Sequence, residues 1–199
     1  MGKGSVLVWS VVGAAFLGTA LLGAPAHEHG VANLNIALEG QELEIELETP
    51  LANILSYEHA PQNAVQEREA SYVVVILRAA DRIFGFPSKA ECKLQSVSLE
   101  SEAIGEKILG AKARSDHDDH DHEKHADHDE HADHEHEGHA DLDAEFVFNC
   151  KNPKALTTIE VNLFKVFPNL KKIEAKVATE KGQGATELTP KNSVVKIAR

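Results

Sequence analysis

Positive charge is scarce in this chain: 20 lysines and arginines stand against 32 aspartates and glutamates, a formal net charge of −12 with the histidines neutral. With no basic patch, the one strong field is negative, which argues against nucleic acid and anionic membrane as partners and for cations. Catalytic signatures are missing too. There is no HExxH, HxxEH, GxSxG, P-loop or GxGxxG, so the common zinc-peptidase, serine-hydrolase and nucleotide-binding patterns fail. No Ser, Cys and His arrangement resembles a triad, and the chain is not expected to be an enzyme.

Long apolar runs are also lacking, with one exception. MGKGSVLVWSVVGAAFLGTALLGAPA, residues 1–26, has a basic Lys3, an uncharged run from Val6 to Leu22 and the small-x-small triplet Ala24-Pro25-Ala26. This reads as a signal peptide cleaved after Ala26. The run is also close to spanning length, so an uncleaved anchor is the competing reading. Either way residues 27–199 are expected outside the cytoplasm, as one metal-binding domain whose mature form does not span a membrane.

Cysteine is limited to Cys92 and Cys150. An even number in an oxidising compartment points to a disulfide, and closing that separation restricts the unfolded chain by on the order of 4 kcal/mol in the chain-entropy model. Two thiolate metal ligands are the alternative, but no CxxC-type spacing accompanies them.

What the chain has in excess is histidine in one place. SDHDDHDHEKHADHDEHADHEHEGHADLD, residues 115–143, holds nine of the twelve histidines and thirteen of the acidic residues against one lysine. Loss of Lys3 takes the net charge to −13, and this stretch carries all but one of those charges. His122, His125, His128, His131 and His134 recur every third residue, with His117/His120 and His136/His139 repeating the step. Neutral imidazoles mixed with carboxylates suit Zn²⁺, Ni²⁺ and Cu²⁺, whereas carboxylates alone suit Ca²⁺ or Mg²⁺. A solvated acidic spacer needs no histidine.

A three-residue repeat drifts around an α-helix by about 60° per step. Asp and His are poor helix formers, and the carboxylates repel. The metal-free stretch is therefore expected to be a long disordered loop that orders partly when metal neutralises it. At three or four ligands per ion, it has donors for roughly two or three zinc ions in shifting combinations. That suits capture and buffering better than catalysis.

Three histidines lie elsewhere. Cleavage after Ala26 creates an amino terminus reading His27-Glu28-His29, whose amine, next two amides and third-residue imidazole suit square-planar Cu²⁺ or Ni²⁺. The same residues have a second use. VANLNIALEGQELEIELET, residues 31–49, alternates apolar and polar positions on both sides of Gly40 and predicts a β-hairpin. Its open end would bring His27, His29, Glu58 and His59 together as a zinc site of two or three imidazoles and a carboxylate. The plainer reading is that His59 packs at a helix start while the terminal pair frays.

Pro61 is a favoured first helical position, and Val65, Tyr72, Ile76, Ala79 and Ile83 fit one helical face, so residues 61–84 predict a helix. VVVIL at 73–77 would also serve as a buried strand. GFP at 85–87 ends the element. Strands are expected at 91–99 and 145–150, paired across the base of the histidine stretch and stapled there by the disulfide. Further alternation at Ile159, Val161 and Leu163, at Ile173, Ala175 and Val177, and at Val194, Val195 and Ile197 predicts more strands, with a turn at GQG, residues 182–184. Phe164, Phe167 and Leu170 read as core anchors. The fold class is α+β, mostly antiparallel sheet with one main helix.

HEHGVANLNIALEGQELEIELETP, YEHAPQN, a cysteine strand, a His/Asp-rich insertion, EFVFNCKNP, LFKVFPNL and GQGATELTP together resemble the ZrgA-like periplasmic zinc-binding proteins. The resemblance covers most of the mature chain and implies a periplasmic zinc-binding accessory protein acting with an ABC-type zinc importer. It lands on His27, His29 and His59 as motif histidines and on His117 to His139 as the insertion. Tyr57 stands where relatives often have Phe. The importer's own solute-binding subunit would usually need two lobes, for which this chain is short. Outside this class lies a structural or interaction domain whose acidic loop is a spacer.

Histidine must be neutral to bind metal. Zinc loading of residues 115–143 is therefore expected to fall steeply as pH drops from about 6.5 toward 5, measured by equilibrium dialysis, whereas a carboxylate-only loop would keep its metal there.

Overall fold

The computed structural model describes residues 28–110 and 140–197. The predicted hairpin is present. Strand β1 (Val31–Glu39) pairs antiparallel with β2 (Glu42–Pro50), from Asn33 opposite Glu48 to Glu39 opposite Glu42. The two-residue loop between them has Gly40 at φ +56°, the left-handed conformation that glycine supplies at the first position of a II′ turn.

Asn63 starts the main helix, α1 (Ala64–Arg78), by accepting hydrogen bonds from the Val65 and Gln66 amides. Pro61 is therefore outside the helix rather than its first residue: the side chain that satisfies the free amides sets the boundary. The ambiguous run 73–77 is helical. The face that enters the core is Ala70, Val73, Val74 and Leu77, whereas Val65 and Tyr72 are 64% and 67% exposed. An apolar run through most of a turn offers two possible faces, and the one with small Ala70 allows close packing. Ala79 interrupts the helix, which resumes for one turn as α2 (Ala80–Ile83) and runs into β3 (Phe84–Gly85).

Strand β4 (Cys92–Glu100) leads through the short α3 (Glu106–Leu109), and the chain returns as β5 (Asp141–Cys150). The last three residues of the acidic stretch, Asp141–Asp143, are thus strand residues, with Leu142 buried. β6 (Thr158–Val161) is followed by one turn of helix, α4 (Leu163–Val166), so Leu163 ends in helix rather than strand. It is buried with Phe167 and Leu170, and Phe164 packs on the same core. β7 (Lys172–Thr179) and β8 (Gly182–Leu188) form a second hairpin whose turn is Glu180–Lys181, two residues before the glycines that suggested it. The last strand is β9 (Val194–Lys196).

These strands make a six-stranded sheet in the order β4-β5-β2-β1-β7-β8 and a three-stranded sheet in the order β3-β6-β9. All pairs are antiparallel except β1 with β7. Period-two alternation makes each long strand two-faced. Leu34, Ile36, Leu43, Ile45, Leu47, Phe146 and Phe148 point into one core shared with α1, while Glu44, Glu46, Glu48, Asp143 and Glu145 lie on the other face. Phe84 stands edge-on to Phe146 and Phe148 at 5.2 and 6.3 Å, closing the small sheet onto the large one. Burying such a side chain contributes about 1.5–3 kcal/mol. Among the described residues no helix is long and apolar enough to cross a membrane.

Cys92 and Cys150 are directly opposed on β4 and β5 and joined by a disulfide. They sit at the end of the ladder away from the insertion, because β4 leaves at Glu100 and β5 returns at Asp141. Eight residues of strand, about 26 Å at 3.3 Å each, separate the disulfide from the base where it was expected. It reinforces the end of the ladder away from the insertion.

The outer face opposes like charges across strands: Glu48 faces Asp143, which also faces Glu100, and Glu46 faces Glu145. Burial and then the nearby Glu145 and Glu46 hold the Glu44 carboxyl above its ordinary value.

Two outcomes follow from this architecture. A group whose folded pKa is raised contributes stability that is full below its ordinary value, near 4.5 here, and lost as pH rises through the raised value. Glu44→Gln is therefore expected to raise the urea midpoint at about pH 7, with the gain closing at about pH 4; a lower midpoint at neutral pH would contradict it. Replacing both Cys92 and Cys150 by serine is expected to cost roughly 2–4 kcal/mol in denaturant unfolding while leaving the zinc stoichiometry of the native protein unchanged.

Candidate metal centre at the foot of the insertion

His29, Glu58 and His59 are described; His27 and the nine histidines from His117 to His139 lie outside the described residues. The hairpin brings two of the predicted ligands into contact. His29 Nε2 is 2.7 Å from Glu58 Oε1, with the two side chains 57% and 29% exposed. Beyond this contact Glu58 Oε1 is sealed from solvent and has no hydrogen-bond partner among the described residues. An imidazole nitrogen beside a carboxylate oxygen is a donor pair that zinc accepts.

His59 is oriented from two sides. Its Nδ1 is 2.8 Å from the Ala60 carbonyl oxygen; a carbonyl can only accept, so in the neutral ring this contact favours the proton on Nδ1 and leaves the lone pair on Nε2. A hydrogen bond at one ring nitrogen thus selects the other as the metal-binding atom. The ring also stacks on Tyr57, centroid to centroid 5.2 Å with planes 29° apart.

The turn that carries Glu58 and His59 is pinned to α1. Glu69 accepts from the Ser56 amide at 2.7 Å and from the Ser56 hydroxyl at 2.8 Å. The Tyr57 hydroxyl donates to the Gln66 carbonyl at 2.7 Å. Burial and the neighbouring Glu69 raise the Tyr57 pKa, keeping it a neutral donor. No sequence pattern marked Glu69 or Gln66 as parts of the site; a carboxylate on the helix turn facing Ser56 was the available signal.

Glu58 and His59 line a cavity of about 870 Å³ together with Glu100, Asp141 and Asp143. Its wall also includes Gly110 and Ala140, the residues on either side of the undescribed insertion. Both flanks are anchored. Arg78 of α1 donates to the Leu109 carbonyl at 2.5 Å. On the return side the Leu51 amide donates to the Ala140 carbonyl at 2.8 Å, and the Ser101 hydroxyl to that of Asp141 at 2.6 Å. Gly110 and Ala140, the described residues bordering 111–139, therefore line the same cavity as His59.

Among the described residues no three His, Cys, Asp or Glu side chains converge as a metal-holding group. The structure brings together His29 with Glu58, and places His59 beside Glu58 in the chain with its Nδ1 turned to the Ala60 carbonyl. The cysteines are remote from this centre and bonded to each other, so they are not thiolate ligands.

A search of curated proteins finds no match. Comparison with protein families matches the ZrgA family zinc uptake protein over residues 26–197. The match spans both sheets, the His29–Glu58 contact, the disulfide and the insertion, and the chain belongs to the ZrgA family of zinc uptake proteins.

Proposed function

We propose that this protein is exported, loses residues 1–26, and captures Zn²⁺ in the periplasm for an ABC-type importer, without catalysing a reaction. His117, His120, His122, His125, His128, His131, His134, His136 and His139 collect the ion. A firmer site at His27, His29, Glu58 and His59 receives it. The observation that carries this reading is the cavity at which Glu58 and His59 meet both flanks of the insertion, Gly110 and Ala140. Metal released from the insertion emerges where a defined imidazole and a carboxylate are already placed. Family membership supports zinc as the cargo.

The division of labour follows from entropy. Donors in a repeat bind in many combinations, each ordering several residues, so each site is modest in affinity and exchanges readily. His59 has its tautomer set and its ring stacked before metal arrives, so less is lost on binding. Ions pass from the first kind of site to the second without a conformational change in the sheet.

Native mass spectrometry of the mature protein, with and without residues 115–139, tests the proposal. The intact protein is expected to take up roughly three or four zinc ions and the shortened one a single ion, lost or weakened at least about tenfold by His59→Ala. No zinc on the intact protein at micromolar metal would end the capture reading. A Cu²⁺ preference that requires a free amino terminus would replace it with copper sequestration.

A further inference from the structure

His29 is exposed, but the backbone beneath it is held from three directions. The Val31 amide donates to the Glu28 carbonyl at 3.0 Å, closing a turn in which Gly30, at φ +84°, occupies the third position that a type II turn gives to glycine. The Gly30 carbonyl accepts from the Lys171 and Lys172 amides at 2.8 and 2.9 Å. The third hold is a side chain, Asn53, which is 1% exposed.

Asn53 uses both ends of its amide. Oδ1 accepts from the Gly30 amide at 2.6 Å, and Nδ2 donates to the Val31 carbonyl at 2.7 Å and to the Thr49 hydroxyl at 3.0 Å. Among the described residues Asn53 and Thr49 are the buried polar side chains. A buried amide so satisfied costs little, whereas its loss would strand a buried amide and a carbonyl. Asn53 ends the short turn Leu51–Asn53, from which the chain runs directly to Glu58 and His59. One side chain thus ties the residues just after His29 to the segment that carries its partner.

We propose that Asn53 is the positioning residue of this centre: by clamping Gly30 and Val31 to the Leu51–Asn53 turn, it sets His29 against Glu58 and thereby sets the zinc affinity of the pair. The placement stands on the hydrogen bonds alone; the affinity rests on the metal reading above. Asn53 does not touch the ion. Thr49 is the internal control, since Thr49→Val removes one bond to Asn53 and leaves both clamps on the arm.

The test uses the full mature chain and the imidazole NMR signal of His29, assigned by its loss in His29→Ala. Without metal, Asn53→Ala is expected to move that signal to the position of a free histidine while Thr49→Val leaves it in place. On titration with zinc, the half-point of the His29 signal is expected to rise at least about tenfold in Asn53→Ala and less than about twofold in Thr49→Val. Should the alanine variant fold poorly, Asn53→Asp keeps the acceptor for Gly30 but not the donor to Val31, and is expected to fall between them. An unchanged metal-free His29 signal in a folded Asn53 variant overturns the placement. A wild-type His29 that ignores zinc overturns the affinity half and the metal reading with it, while the metal-free arm still decides the placement.

Discussion

The pairing of β5 with β2 on one side and β4 on the other is the constraint on which the rest depends. β5 begins where the insertion ends, so the chain must return and find two antiparallel registers at once, with a loop-closure cost to offset. Leu142, Ala144, Phe146 and Phe148 supply the offset by entering the core together. The register cannot slip: a shift of one residue would drive Asp143, Glu145 and Asn149 inward and expose both phenylalanines. The Cys92–Cys150 bond fixes the far end of the same ladder. With that register set, Ala140 falls beside Leu51 and the insertion's return point is delivered to the cavity that holds His59.

The same alternation that buries the phenylalanines puts carboxylates opposite carboxylates. Glu48, Asp143 and Glu100 form one row across three strands, and Glu46 with Glu145 the next. Like charges directly opposed destabilise a sheet, and the Glu44 carboxyl, raised first by its burial, is raised further by Glu145 and Glu46 nearby. Asn33 and Asn35 of β1 reach Glu48 and Glu46 at 3.5 and 3.4 Å, the long edge of hydrogen bonding. The core outweighs this repulsion, and the cost is spread over an exposed face where water screens it.

Much of this was legible in the sequence where periodicity is unambiguous. The β1–β2 hairpin shows two clean alternations about Gly40, and both β5 and the cysteine pairing follow from alternation and even count. The helix face was not legible, because VVVIL fills more than one face and Ala70 carries no hydrophobic signal of its own. Nor was the edge of the insertion: Asp141 and Asp143 belong by composition to the acidic run and by pairing to β5. The parallel alignment of β1 with β7 depends on how the chain closes after α4, which no local pattern encodes. Of the centre, the histidines and Glu58 stood out as residue types, but Asn53 and Glu69 did not. An asparagine or glutamate reads as surface until the partners that satisfy it are known.

His59 joins these levels. Its ring rests on Tyr57, which is held by Gln66, and its turn is held by Glu69; both come from the first half of α1. The last residue of the same helix, Arg78, holds the departure of the insertion at Leu109. One rigid helix therefore fixes the imidazole at one end and the root of the histidine repeat at the other, while Leu51, a few residues before Tyr57, fixes the return. The geometry of Glu58 and His59 is thus held by contacts from α1. On the proposed reading, that fixed geometry is what transfer requires, because an imidazole and a carboxylate held in advance lose less on taking the ion.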